Sequence, residues 1–412
     1  MKSIYKRLGD YIQLVSGRNS ELNDIPLMGL SIQKKFIPSI ANTIGTDMST
    51  YRIIENNQFA YGPVTSRNGD KITIAHFTEH EKGLISQAYI PFEVKDKSEL
   101  DPEYLMMWFR RPEFDRYARF KSHGSAREIF DWEEMCNVTL PVPSIEKQRE
   151  IVNEYNTIHN RIALNQKLIQ KLEETAQAIY KRWFVEFEFP DENGNPFLTS
   201  GGKMVWCEEL GKEIPKGWVF GKLDDLKLDI SDGNYSSKYP SSTDFISEGV
   251  PFIRGTDFDN KVVSSRNLYF ISEVQHRILK KGHTKKGDIL LSTRGEIGKI
   301  AFITNEFINC NINAQLVRIN GGTKYSTFYL GCLFESSDYK EELLSSTTGS
   351  ALQQLPRKNL SATRLLIPHI SIIQDFTRRY ESIHANYILR NNQNQKLTEL
   401  KALLLSRLAT VE

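Results

Sequence analysis

The sequence predicts an α+β fold, with two mixed globular segments, each followed by a long helix, and the two helices paired as a coiled coil. Three observations predict it. The chain repeats itself at a shift of about 225 residues, two stretches alternate apolar spacings of four and three, and the segments before them mix short apolar runs with turn formers.

The repeat sets the layout. Without a gap, Tyr104 and Leu105 fall on Tyr329 and Leu330, the run Gly124, Ser125, Ala126 on Gly349, Ser350, Ala351, and Leu140, Pro143 and Ile145 on Leu365, Pro368 and Ile370. The register continues through Tyr155, Ile158, His159, Leu164, Lys171, Leu172, Glu174 and Arg182, which meet Tyr380, Ile383, His384, Leu389, Lys396, Leu397, Glu399 and Arg407. Solenoid repeats are far shorter than this, so the chain is an internal duplication.

The elements follow in order. In the first globular segment, residues 1–143, the strings ITIAHF (72–77) and LISQAYIPFEV (84–94) read as strands, Tyr104 to Phe109 opens a short helix, and Ser66-Arg67-Asn68-Gly69-Asp70 forms a turn. A helix over 144–189 starts after Pro143 with Ser144 as N-cap and stops before Pro190. Its seam is Ile151, Tyr155, Ile158, Ile162, Asn165, Ile169, Leu172, Ala176, Ile179 and Trp183, and at ~1.5 Å per residue it is ~60 Å long. Residues 190–215 are rich in turn formers and make a linker or hairpin. The second globular segment, 216–368, repeats the strand style in GVPFIRGTDF, GDILLSTRGEIGKIAFI and NAQLVRI. The second helix, 369–412, carries Phe376, Tyr380, Ile383, Tyr387, Leu397, Leu404 and Leu408, interrupted by polar Arg390, Asn394 and Lys401. Each unit supplies one apolar stripe that needs a partner, which favours pairing within the chain, although the pattern does not give the direction. Asn165 either fixes register within the seam or sits at a solvated edge, and the sequence leaves both open.

Composition narrows the function. The 53 Lys and Arg nearly cancel the 51 Asp and Glu, so the net charge of +2 excludes a tail-driven mode of nucleic-acid binding, and a binding surface has to be a local patch. The four cysteines, Cys136, Cys207, Cys310 and Cys332, lack metal-ligand spacing, which fits reduced thiols in a cytoplasmic protein. No apolar run approaches the ~18 residues of a membrane span, and the start MKSIYKRLGDYIQ has no signal-peptide core, so no membrane partner is expected. Catalytic signatures are missing too. Gly295-Glu-Ile-Gly298-Lys299-Ile300 lacks the spacing and hydroxyl of a phosphate loop, and there is neither an Asn/Asp-Pro-Pro-aromatic motif of amino-methyltransferases nor a GxGxxG turn. His159 and His384 read as packing or surface histidines, and no metal or cofactor site is expected in this chain.

The sequence also offers basic, amide and hydroxyl residues on glycine-containing loops, equivalently placed in both units. Arg67, Asn68 and Lys71 in Ser66–Lys71 resemble Thr293, Arg294 and Lys299 in Ser292–Lys299, and Ser122, Ser125 and Arg127 around the first Gly-Ser-Ala match Thr348, Ser350 and Gln353 around the second. Unit two adds Tyr235, Lys238 and Arg254. Arg pairs with guanine edges, Asn and Gln with adenine, and Ser, Thr and Lys with phosphates, so these residues are candidate DNA contacts.

The strings LPVPSIEKQREIV, RIALNQKLIQKLEETAQAIYKRWF and GGKMVWCEELGKEIPKGW resemble the specificity subunit of type I restriction-modification enzymes over essentially the whole chain. The resemblance implies two target-recognition domains, each reading half of a split sequence in double-stranded DNA, held apart by antiparallel spacer helices. Half-sites on one side of B-DNA lie ~34 Å apart, which helices of this length can bridge. It further implies that two modification subunits dock on the helices and methylate adenine N6 using S-adenosylmethionine, and that restriction subunits translocate and cut with ATP and Mg, leaving this chain without catalysis. A single Leu-Glu-Glu-Thr at Leu172–Thr175 resembles the short repeats that set half-site spacing in some members. One departure is the stretch 55–62, Glu-Asn-Asn-Gln-Phe-Ala-Tyr-Gly, which stands where unit two has the family's Gly-Asp-Ile-Leu at 287–290. A related system with fused methylation and cleavage, or a coiled-coil scaffold that does not bind DNA, are the alternatives the sequence leaves.

Overall fold

The computed structural model describes residues 5–40, 45–66, 68–124, 127–235, 237–350 and 352–411. The chain forms two compact units, Met1–Ile162 with Leu397–Glu412, and Ala163–Lys396. Unit one contains strands β1 (Tyr5–Arg7), β2 (Ile12–Leu14), β3 (Leu27–Leu30), β4 (Phe36–Pro38), β5 (Arg52–Glu55), β6 (Phe59–Tyr61), β7 (Ile74–His76), β8 (Lys82–Ile85), β9 (Ile90–Val94) and β10 (Thr139–Pro141). Helices α1 (Pro102–Phe109), α2 (Pro112–Phe120) and α3 (Trp132–Asn137) precede β10, and α4 (Ile145–Tyr180) leads from this unit into the next. Unit two follows with β11 (Met204–Cys207), β12 (Lys212–Pro215), β13 (Val219–Lys222), β14 (Asp229–Asp232), β15 (Val250–Ile253), β16 (Phe258–Asp259), β17 (Val262–Val263), β18 (Tyr269–Ile271), β19 (Ile289–Ser292), β20 (Ile300–Phe302), β21 (Asn311–Ile312), β22 (Leu316–Asn320) and β23 (Arg364–Ile367). Its helices are α5 (Glu273–Ile278), α6 (Thr327–Glu335), α7 (Ser337–Ser345), α8 (Arg357–Ala362) and α9 (Ile370–Arg407), whose last turns return to unit one.

The duplication extends to the order of the strands shared by the two units. The sheet β2-β9-β6-β7 of unit one has the order of β14-β22-β19-β20 in unit two, β4-β3-β8 that of β18-β15-β21, and β1 pairs with β10 as β13 pairs with β23. Even the parallel contact recurs, between β3 and β8 and between β15 and β21. Unit one has β5 as an extra edge strand and unit two adds the short β16 and β17, so the shift varies over the first half of each unit and is settled from α1 and α6 onward. The stretch 55–62 that departs from the Gly-Asp-Ile-Leu pattern holds β6, the counterpart of β19. Both strands are central and wholly buried, which is why they read as apolar runs rather than alternation.

Three sequence expectations change. LISQAYIPFEV is two strands, because the chain turns at Ser86–Tyr89 (Tyr89 N–H to Ser86 C=O, 3.0 Å) and delivers β8 and β9 to different sheets. GDILLSTRGEIGKIAFI is likewise divided into β19 and β20 by a turn with Gly295 and Gly298 at φ +72° and +83°. The first helix ends in a π-helical turn at Lys181–Val185, short of residue 189. Phe187 then adopts φ +59°, and the reversal buries Phe187 and Phe189 against Trp218, with ring centroids 5.4 and 5.5 Å away. Residues 190–215 include the antiparallel β11–β12 hairpin.

Within each unit the helices pair antiparallel. In unit two, Asn165 Nδ2 donates to Asn394 Oδ1 (3.0 Å), the Tyr387 hydroxyl to Glu173 (2.9 Å), and Trp183 lies 5.6 Å from Tyr380, so rising numbers on one helix meet falling numbers on the other. Ile169, Trp183 and Tyr387 are buried, and Leu172, Ile179, Tyr380 and Ile383 pack against the same core. In unit one Tyr155 is buried, Ile151 packs beside it, and Ile158, Ile162, Leu397 and Leu404 are half-buried. Asn165 is 0% exposed, which removes the solvated-edge alternative. The helix start is as expected, with Lys147 N–H donating to the Ser144 hydroxyl (3.4 Å), but Gln148 does more. Fully buried, it accepts from Asp101 N–H and donates to Glu99 and Pro143 carbonyls at 2.8–2.9 Å, tying α4 to the start of α1.

Candidate nucleic-acid interface

Gly124 and Gly349, which begin the two Gly-Ser-Ala segments, belong to two matching hairpins. His123 and Ile129 exchange backbone hydrogen bonds of 3.0 and 2.8 Å, and Thr348 and Gln354, each 225 positions later, exchange bonds of 2.8 and 2.9 Å. Gly124 sits at φ +131° and Gly349 at φ +95°, and a Cβ would stand 2.2 Å from the Arg127 carbonyl oxygen in one and 2.6 Å from that of Leu352 in the other. Only glycine fits both turns.

Each hairpin is bonded to a second loop. Phe130 N–H donates to Pro63 C=O (2.8 Å) and Thr65 N–H to Glu128 C=O (3.0 Å), while Leu355 N–H donates to Thr293 C=O (2.9 Å). Val64 bridges Ile129 as Arg294 bridges Gln354. The loops are therefore equivalently placed, but Arg294 corresponds to Val64 rather than Asn68, because the strands before the loops are spaced differently in the two units.

Arg67 and Ser125 lie outside the described residues. Arg127, Arg294, Thr348, Ser350 and Gln353 are exposed on the hairpins and loops, as are Lys71, Lys238 and Lys299, the last pairing with Glu296 at 3.1 Å. Tyr235 has an exposed ring and a hydroxyl that donates to the Ala314 carbonyl. Four predicted residues are instead held inside the fold. Asn68 donates to Val64 C=O (3.1 Å) and closes its own turn. Ser122 donates to Ala118 C=O (2.7 Å) and accepts from Thr65. Thr293 is 5% exposed with its hydroxyl on Gln315 C=O. Arg254 grips Asp257 (2.7 Å) and stacks 3.7 Å over the Tyr269 ring.

The structure adds residues that sequence reasoning missed. In unit two, exposed Arg357 joins Tyr235, Arg294, Gln354 and Asp232 around a cleft of about 250 Å³, which only the fold brings together. In unit one, Lys71 lies on a second cleft beside Lys35, Arg110 and Lys401. His384 is packed 4.4 Å from the Phe302 ring, and burial pushes it down to about 4, as a packing histidine requires. Among the described residues no group of His, Cys, Asp or Glu could hold a metal ion, and no helix is long and apolar enough to cross a membrane. The four cysteines are free thiols.

The shared topology and the twice-built loop pair define a tandem-domain protein whose halves present the same surface feature. The chain belongs to the family of type I restriction modification DNA specificity domains, whose model matches residues 9–174 and again 215–402. It is 23% identical to the type I restriction enzyme HindI specificity subunit of Haemophilus influenzae, over 98% of each chain. It is 25% identical to the MjaIX specificity subunit of Methanocaldococcus jannaschii, over 74% of this chain and 68% of that one. The crystal structure of the type I restriction-modification S subunit from M. genitalium has the same fold, with a TM-score of 0.57 at 14% identity, covering 99% of this chain and 96% of that one.

Proposed function

We propose that this chain is the sequence-reading subunit of a type I restriction-modification complex and recognises a bipartite target in double-stranded DNA. The observation that carries this reading is the pair of glycine hairpins, each bonded to a loop with exposed polar residues, on two units of one topology. A two-part reader gives a two-part target, and Arg127 in unit one and Arg294, Ser350 and Gln353 in unit two are the side chains placed to meet base edges or phosphates. The paired helices act as the spacer and as the docking site for two modification subunits. Those partners supply S-adenosylmethionine and methylate adenine N6, and restriction subunits supply ATP- and Mg-dependent translocation and cleavage, so this chain performs no catalysis and works in the cytoplasm. Methylome sequencing of cells expressing the chain with its methyltransferase tests the reading. N6-methyladenine in a bipartite motif with a fixed gap is expected, and methylation that persists without this chain would refute it.

A further inference from the structure

Each unit brings a lysine on a left-handed turn to the elbow between its equivalent helices, in surroundings of opposite charge. Lys34, between β3 and β4, and Lys261, in the β16–β17 turn that unit two adds, both have left-handed backbones, φ +59° and +56°, and both reach the elbow between equivalent helices, α1–α2 and α6–α7. In unit two the site is neutralised, since Lys261 pairs with Glu173 (2.6 Å) and Glu335 (3.1 Å), and Glu335 also holds Lys340 (3.1 Å). In unit one the counterpart of Glu335 is Arg110 and that of Lys340 is Asp115, which Lys34 engages at 2.8 Å. The result is a cleft of about 480 Å³ lined by Lys34, Lys35, Lys71, Arg110, Arg116 and Lys401, where the lining carboxylates among the described residues are Asp70 and Asp115, and Glu113 beside it pairs with Arg116 at 3.2 Å.

Lys401 shows what the cleft lacks. Its ammonium donates to His159 Nδ1 at 3.0 Å and lies 4.9 Å from the Tyr155 ring centroid. Desolvation, with Arg110 and Lys35 nearby, lowers it to about 8, and the same causes keep His159 below its usual range and neutral. A half-buried ammonium that settles for an imidazole and a ring face is short of an anion.

We propose that this cleft seats a backbone phosphate of the DNA that flanks the half-site read by unit one, an assignment that rests on the DNA reading above. A phosphodiester offers two free oxygens to the Arg110 fork and the surrounding lysines. Position favours it over an acidic protein segment. The loop that starts on the glycine hairpin, through Thr65 and Glu128, runs on to Lys71 at the cleft, so a strand lying on the hairpin continues toward it.

The test is anisotropy of a duplex carrying the methylated motif, bound to the full-length chain and titrated with KCl from roughly 50 to 200 mM. Two variants serve: Lys35→Gln with Lys71→Gln, both exposed, and Arg110→Glu, which installs the residue unit two carries. Loss of one phosphate contact lowers the log–log salt slope by about 1, so the affinity lost over that range shrinks ~3–4-fold, with the preference for motif over scrambled duplex unchanged. An unchanged slope in variants that keep the motif preference overturns the assignment. So does an unchanged slope accompanied by loss of methyltransferase co-purification, which gives the cleft to an acidic protein segment. A wild-type chain with no motif preference would refute the DNA reading itself, and the phosphate site with it.

Discussion

Replacing Gly349 with alanine perturbs one reading loop and little else. At φ +95° an L-residue carries strain of about 1–3 kcal/mol. The new methyl would stand 2.6 Å from the Leu352 carbonyl oxygen, so the turn must open by most of an ångström to reach the 3.4 Å of ordinary contact. Opening it removes the two bonds between Thr348 and Gln354, each worth about 1 kcal/mol net. Because the hairpin tip is exposed, rearrangement caps the total at about 1–3 kcal/mol, and the core of unit two stays intact. Thermal melting should therefore fall by only a few degrees. Methylation should suffer more, since even ~1.4 kcal/mol of lost DNA binding is tenfold. With the variant expressed beside the methyltransferase, methylome sequencing should show the motif relaxed or under-methylated in one half only, and Gly124→Ala should do the same in the other half. Full methylation of an unaltered motif, by a variant whose melting shift shows the hairpin disturbed, would refute the claim that these hairpins touch DNA.

Other perturbations reach the rest of the molecule. Exchanging residues 1–143 for the corresponding segment of another family member should change one half-site in the methylome, and a change in both would contradict the one-unit, one-half-site reading. A heptad added after Ile162, matched by one before Leu397, should lengthen the unspecified gap. An insertion at Glu174 alone would instead break the Glu173 bonds to Tyr387 and Lys261, because antiparallel partners need matching additions. Asn165→Leu should cost about 1–3 kcal/mol by calorimetry, since the bond from the wholly buried Asn165 amide to half-buried Asn394 Oδ1 is lost, and Asn165→Leu with Asn394→Leu should recover part of that loss. Lys401 holds its proton to pH 10.5 when unfolded but only to about 8 when folded, so between those values the unfolded chain binds more protons and stability rises with pH. Tyr155, His159, Arg110 and Lys35 share its surroundings, so the readout is the difference from Lys401→Met, which should lack that component of the rise in denaturant unfolding.

How much was legible depended on where insertions fall. From α1 onward the units run without gaps, so the shift of 225 found the equivalent helices and hairpins directly. Before α1 the added β16 and β17 slide the register, so the order of residue types along the loop sets Arg294 against Asn68, whereas the backbone sets it against Val64. Residue type was a fair guide to loops but not to side-chain direction. Thr293 and Arg254 have the chemistry of DNA contacts, yet Gln315, which only the fold puts within reach, takes up the Thr293 hydroxyl, and Asp257, three residues on, takes up the Arg254 guanidinium. The cleft of unit one was hidden for a related reason, since Lys401 reads on a helical wheel only as a break in the seam.

Those breaks bear on the spacer role proposed for the helices. In unit two Asn165 meets Asn394 and Glu173 meets Tyr387, and in unit one His159 meets Lys401, so these polar positions have partners on the opposite helix, while Arg390 bonds Gln393 on its own. Apolar pairs tolerate slippage, because one leucine replaces another at little cost. A slip here would bury an amide, a carboxylate and an ammonium beside hydrocarbon, each costing on the order of 1–3 kcal/mol or more. The interruptions that weaken the second seam as a generic coiled coil therefore lock its register. A locked register is what a reader of a two-part site requires, because a gap of fixed length in the DNA has to be measured by something that cannot slide.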